Sequence, residues 1–391
     1  MLETWSAARY LANPYSYYRR LRAIDPVHWN SALQLWTLTR HGDALTALTH
    51  PALSSRRPQP RLDDPAALSV YDSLAAWLLR SDPPVHTRLR ALATHSLHAR
   101  IVGMRSRIRA QAEQLVDAAQ PRHGMEVISE LAAPLAFATI ADLIGVPAQD
   151  HMRFYQWADD VGAAAESAPE ARLMARAQRS LAEVSAYFEG LIALRRHEPA
   201  DDLLTEWIGA APGGDRLTDG EISVICTLLL LAGHDTATHL LANGILALLW
   251  HPDQLDRLRA DPALGDDAVQ ELLRYDSPLQ GVLRLAVDDL ELAGRRIARG
   301  QTVLVWLAAA NRDPEQFVAP DRLDITRKAN RHVAFGCGIH HCLGASLGLM
   351  IASAGIERLL ARAPSLRLAS DRTEWQGNFL FRSQRSLRVL F

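Results

Sequence analysis

Cysteine is scarce: three residues in a chain of 391, an odd number and too few for a disulfide framework, so a reducing compartment is expected. Excess charge of one sign is also missing. Lys and Arg total 42 against 44 Asp and Glu, a formal net charge of -2, and that balance gives no reason to expect nucleic acid as a partner. No Gly/Ser-rich linker, low-complexity tract or internal repeat divides the chain, so one continuous domain over residues 1–391 is expected. Met1 to Tyr10 holds Glu3, Arg9 and little continuous apolar sequence, which reads as neither signal peptide nor membrane anchor and implies a cytoplasmic location. The apolar run Ile222 to Gly233 meets His234 and Asp235 too soon to span a bilayer and reads as a buried core helix.

What is present is a chain with 48% hydrophobic residues, enough to bury a large core. Its most informative stretch is Phe335-Gly-Cys-Gly-Ile-His-His-Cys342-Leu-Gly344, followed by an apolar run, Leu343 to Ala354, that predicts a helix. A sulfur placed just before a helix N-terminus is favoured as a thiolate and can ligate soft or borderline metals, haem iron among them. Gly336, Gly338 and Gly344 permit strained turns and close approach to a flat ligand, and His340 is within reach of an anionic group on it. Three other readings stand beside this one: zinc held by Cys337, His340, His341 and Cys342; a Cys342 nucleophile with His340 as base; and a merely structural cysteine in a turn.

The pattern Phe-Gly-x-Gly-x-His-x-Cys-x-Gly resembles the signature of the cytochrome P450 family of haem-thiolate monooxygenases, with every fixed position filled from Phe335 to Gly344. The resemblance runs over almost the whole chain in the family's order. It implies a mainly α fold with a small β portion, a triangular single domain holding haem b, and Cys342 as the iron's proximal ligand.

Further segments extend it. Asp82-Pro-Pro-x-His86-Thr-Arg-Leu-Arg90 opens a helix, with Asp82 as its expected cap, and His86 and Arg90 share a face one turn apart. By resemblance these two, with Arg284 and His340, bind the haem propionates. Thr218-Asp-Gly-Glu221 reads as a capping box ahead of a long apolar helix ending before Pro252. Its middle, Ala232-Gly233-His234-Asp235-Thr236, is polar where a plain core helix is apolar. There the Thr236 hydroxyl can bond the Ala232 carbonyl, loosen the ladder locally and open a groove. In the family an Asp and Thr pair at this place relays protons to dioxygen. Glu271 and Arg274, three apart on one helical face, match a buried family ion cluster whose third member corresponds to Arg322.

The substrate pocket is implied to draw on Trp77, Leu78, Ala232, Gly233, Leu279, Val282 and Phe379, the last in a turn Asn378 to Phe381 that reaches back to it. The break around Ser167 to Pro169 separates two helices of an implied lid. Arg100, Arg105, Arg107 and Arg109 form a candidate docking face for an acidic ferredoxin or flavodoxin; charged solvent-facing helix surface is the plainer reading. Val27 to Asn30 and Gln34 to Thr39 predict a hairpin, Pro51 to Asp64 an irregular loop, and Ala310 to Pro314 with Phe317 a structural run. Leu349 and Ile351 stand where bacterial members usually carry Arg and Glu, which bears on local charge pairing but not on ligation. The implied reaction is insertion of oxygen from O2 into a small apolar molecule by hydroxylation or epoxidation, with electrons from a separate ferredoxin or flavodoxin and its reductase. The competing readings are a catalytically silent haem-binding homologue, a peroxide-using enzyme and a thiol hydrolase; retention of Asp235 beside Thr236 favours oxygen activation.

Overall fold

The computed structural model describes residues 7–57, 64–166, 170–210, 214–328, 330–370, 372–376 and 379–391. Its backbone divides into two compact units, one of residues 1–54, 109–135 and 236–391, the other of residues 55–108 and 136–235.

The first unit carries the sheets. The expected hairpin forms as strands Val27–Asn30 and Leu35–Leu38 in antiparallel register, Val27 opposite Leu38. Leu35–Leu38 runs parallel to Thr302–Val305, which is antiparallel to Val282–Ala286, and Leu53–Ser54 closes the edge of a five-stranded sheet. Thus the loop expected from Pro51 contributes a short strand, and its residues 58–63 lie outside the described part. Val27, Leu38, Val303 and Val305 point into a core shared with Ala44 and Leu48 of the His41–Thr49 helix, while Leu35 and Leu304 on the other face are buried against Tyr15 and Tyr18, so the sheet is covered on both sides there. Three helices also meet in this unit: residues 236–250 of the long helix, Gly265–Tyr275 and Ala345–Arg362. A Cβ on Gly244 would stand 3.3 Å from Leu272 Cδ1 and 3.5 Å from Ile356 Cδ1, and one on Gly355 only 2.5 Å from Leu241 Cδ2. Hydrogen removes the bulk that would otherwise force these helices apart.

The run Ala310 to Phe317 is structural, as expected. Asp313 accepts from the backbone N–H of His41 at 2.7 Å, and the Arg312 guanidinium lies between the rings of Tyr15 and Tyr275, 3.7 and 3.8 Å from their centroids.

Helices make up the second unit. Ala67, Val70 and Leu74 of Pro65–Ala75 pack with Ala158, Val161, Met174, Leu181 and Leu231 in one apolar cluster. Arg100 ties the Val85–Gly103 helix to Asp201 and Glu206, each at 2.7 Å, and Arg88 in the same helix binds Asp215 at 2.7 Å and Glu221 at 2.6 Å. The Val85–Gly103 helix has Pro84 at its N-cap; before it, Asp82 accepts from the Ser55 backbone N–H at 3.2 Å through its side chain and from the His86 N–H at 2.9 Å through its carbonyl. The two helices flanking the expected break run His151–Glu166 and Ala171–His197, and the break itself, Ser167 to Pro169, lies outside the described residues.

One helix, Asp219–Trp250, contributes residues to both units. Its expected capping box is present: Glu221 N–H donates to Thr218 Oγ1 at 3.2 Å and Thr218 N–H to Glu221 Oε2 at 2.8 Å. The helix is long and apolar enough to cross a membrane by length and composition, and most of its apolar window is buried within the protein.

Candidate active site

The loop around Cys342 is shaped by its glycines. Gly336 and Gly338 both take φ of +72°, a region side-chain-bearing residues avoid, and a Cβ on Gly338 would press to 3.1 Å from Thr49 Cγ2 and 3.3 Å from the Leu48 carbonyl. Two backbone bonds close the loop: Gly336 N–H to the Val333 carbonyl at 2.8 Å, and Cys342 N–H to the Phe335 carbonyl at 2.8 Å. A short turn, Gly338–His340, follows, and the helix begins at Ala345 with Gly344 as N-cap, two residues later than the apolar run suggested. Cys342 therefore precedes the helix N-terminus.

The three thiols are placed differently. Cys226 is fully buried and burial pushes its thiol well up, so it is inert. Cys337 is half-buried and packs against the core cluster of the sheet. Cys342 alone is exposed. Within 4 Å a Cβ on Gly344 would meet nothing, and one on Gly336 only the His340 carbonyl at 3.7 Å, so the loop is loosely packed at these two glycines. No group of three or more His, Cys, Asp or Glu that could hold a bare ion occurs among the described residues, which leaves the zinc reading without a ligand set. A single exposed sulfur suits a metal that brings its other ligands with it, and a haem meets that condition.

Behind this loop lies the ion cluster, and here the expectation needs correcting. Glu271 and Arg274 are both fully buried and joined by two parallel bonds, Nε to Oε2 at 2.7 Å and Nη2 to Oε1 at 2.9 Å. Their third partner is not the Arg322 side chain, which is exposed, but Arg327, whose Nε donates to both Glu271 oxygens at 3.2 and 3.1 Å. Arg322 contributes only its carbonyl, which accepts from Arg274 Nη2 at 3.1 Å. Asn330 Nδ2 at 3.0 Å and the Asp324 backbone N–H at 3.0 Å complete the shell around the carboxylate. Next to it His332 Nε2–H donates to Gln270 Oε1 at 2.7 Å, and burial, reinforced by the Arg274 charge, pushes its imidazole down to about 4.

Arg284 sits in strand Val282–Ala286 opposite Val303 and is buried, with Nη1 donating to the Leu283 carbonyl at 3.0 Å. Leu279 forms a bridge with Phe381, and Leu279 and Val282 pack against the sheet core. Phe379 is partly exposed and sets its ring edge-on to Trp306 at 6.1 Å, while Asn378 lies outside the described residues. Ile351 is buried and Leu349 partly so, which accounts for apolar side chains at those places; the charge pairing of that helix is carried by Glu357 with Arg109 at 2.8 Å and Arg358 at 3.4 Å.

In the helical unit, His86 is almost wholly buried, and burial followed by the Arg90 charge one turn on lowers its basicity. Ala232 to Asp235 lie in an unbroken α-helix that continues through Thr236, so the backbone keeps its helical course there. Gly233 faces Ile140, whose Cδ1 would stand 2.9 Å from an added Cβ. His234 is held between the rings of Phe137 and Tyr155 with Nδ1 3.1 Å from Asp235 Oδ1, and the Asp235 side chain is half exposed. Asp159 escaped the sequence reading: burial, then the nearby Asp235 charge, raises its carboxyl, and nothing local in His151–Glu166 marks a partner on another helix. Leu78 is buried, and Trp77 packs on the apolar cluster of this unit. Of the proposed docking arginines, Arg100 is engaged as described and Arg107 pairs with Asp142 at 3.0 Å, so much of that positive charge is matched internally.

Comparison with known proteins agrees with this geometry. The family model described as Cytochrome P450 matches residues 194–363. The biotin biosynthesis cytochrome P450 of Bacillus subtilis (strain 168) is 36% identical over 393 residues, spanning 99% of this chain and 98% of that protein. Cytochrome P450 107B1 of Saccharopolyspora erythraea is 40% identical over 385 residues, spanning 95% and 93%. Among solved structures, P450BioI in complex with acyl carrier protein ligated to hexadec-9Z-enoic acid superposes with a TM-score of 0.92 at 35% identity, covering 99% of this chain and all of that one.

Proposed function

The chain belongs to the cytochrome P450 family, oxidoreductases that incorporate molecular oxygen, and from that premise we propose that it hydroxylates or epoxidises a small, largely apolar substrate using haem b held by Cys342. The observation that carries the reading is the exposed Cys342 thiol on a loop shaped by two positive-φ glycines just before a helix N-terminus. Haem, when bound, supplies the oxygen chemistry at its iron. Cys342 would hold the iron, with Phe335 and Gly344 framing the loop, and His86, Arg90, Arg284 and His340 would bind the propionates. Asp235, half exposed, exchanges a proton with solvent, and the Thr236 hydroxyl next in the helix passes it inward. Ala232, Gly233, Leu279, Val282, Trp77, Leu78 and Phe379 are the proposed substrate contacts. An apolar substrate is supported by the hexadecenoic chain in the related complex. Residues 1–391 are proposed to act as one monooxygenase domain in the cytoplasm, with electrons from a ferredoxin or flavodoxin and its reductase.

The test is Thr236→Ala, assayed with a surrogate ferredoxin and reductase and a ligand chosen by its shift of the haem absorption. NADPH consumption should persist while hydrogen peroxide replaces product; coupling equal to that of the unaltered enzyme overturns the proton-relay role.

A further inference from the structure

A cleft of about 370 Å³ lies in the helical unit and belongs to none of the groups assigned above. Arg56, Arg57, Tyr71, Arg80, Ala75 and Val85 line it. Arg56 has a partner, Asp82 at 3.5 Å. Arg57 and Arg80 pair with no carboxylate among the described residues, and Arg80 is 92% buried with its Nε unsatisfied (8% exposed). Burial and the neighbouring Arg57 charge push the Arg80 guanidinium down to about 10, with Tyr71 opposing them. Such a charge is costly to keep out of water without a counter-ion, and a fold retains one chiefly where something else supplies the anion. The 3₁₀ turn Leu78–Arg80 fixes it in place, because Arg80 N–H donates to the Trp77 carbonyl at 2.8 Å.

We propose that this cleft binds the anionic end, carboxylate or phosphate, of a small amphiphilic molecule, with Arg80 and Arg57 as the anion's ligands, Tyr71 as a further donor, and Ala75 and Val85 against its apolar body. Two guanidinium forks and a phenol match the oxygens of either anion. The site does not depend on the monooxygenase reading, since phosphate binding is measured without turnover.

The test titrates the haem-loaded protein calorimetrically with inorganic phosphate, with tetradecanoate and with its neutral analogue tetradecanol. Phosphate should bind, weakening as salt rises, or tetradecanoate should bind in preference to tetradecanol. Phosphate binding alone marks a free phosphate site, and tetradecanoate preference alone an organic acid site. In either case Arg80→Gln and Arg57→Gln should each lower affinity at least tenfold. Without ligand, Arg80→Gln should unfold at a higher temperature than the parent chain, because it removes an unpaired buried charge, whereas a structural arginine would leave it less stable. Arg57 is exposed, so Arg57→Gln keeps the fold and decides the matter if Arg80→Gln does not express. Failure of both anions to bind, or undiminished anion affinity in Arg57→Gln, overturns the proposal.

Discussion

Removing the Glu271 carboxylate is the sharpest perturbation of the scaffold behind Cys342. Arg274 has no exposed surface, and although the carbonyls of Asn311, Pro320 and Arg322 accept from it at 2.9, 2.8 and 3.1 Å, its only buried counter-charge among the described residues is Glu271. Glu271→Ala strands that cation together with Arg327, and breaking a buried pair in this way costs about 3–5 kcal/mol. An unfolding entropy of about 2 cal/mol/K per residue over a chain of this length gives roughly 0.8 kcal/mol per degree, so Tm should fall by about 4–6 °C. Arg327→Ala should follow it closely, while Arg322→Ala, which deletes an exposed side chain and keeps the carbonyl, should shift Tm by less than about 1 °C. Thermal unfolding followed by circular dichroism, with haem content read from absorbance, measures both, and Glu271→Ala should purify largely without haem. A fully haem-loaded Glu271→Ala of unchanged Tm, or an Arg322→Ala as costly as Arg327→Ala, refutes the reasoning.

Acid should find a second weakness at His332. Its folded value lies near 4 against an ordinary 6.5, so the unfolded chain takes up the proton first, and the stability this neutral histidine contributes is complete above about pH 6.5 and lost as pH falls toward 4. Chemical denaturation of His332→Gln across that range should show a shallower loss than the parent; identical slopes exclude the assignment. Gly355→Ala should lower stability by about 1–3 kcal/mol, because the methyl would lie 2.5 Å from Leu241 Cδ2 and overpacking outweighs the gain in helix propensity of about 1 kcal/mol. A Tm above that of the parent would contradict that packing.

What could be read in advance was what is local in sequence. The Thr218 and Glu221 capping box, the Val27 to Leu38 hairpin and the glycine-bounded Cys342 loop each depend on neighbours a few residues apart, and each formed. The misses required distant chain. Arg327 reaches Glu271 only through the course of residues 318–330, and a motif match pointed instead to Arg322, five positions earlier in the same loop. The Asp82 side chain is tied to the Ser55 backbone 27 residues away, and Asp159 and Asp235 come near each other from separate helices with no shared spacing.

Ligation of haem by Cys342 is most directly tested by the absorption spectrum of the dithionite-reduced, carbon-monoxide-bound protein alongside Cys342→Ser. A red-shifted Soret band typical of thiolate ligation in the parent, lost in the variant, is the predicted result. A colourless parent protein after haem supplementation, or an identical spectrum in Cys342→Ser, contradicts it.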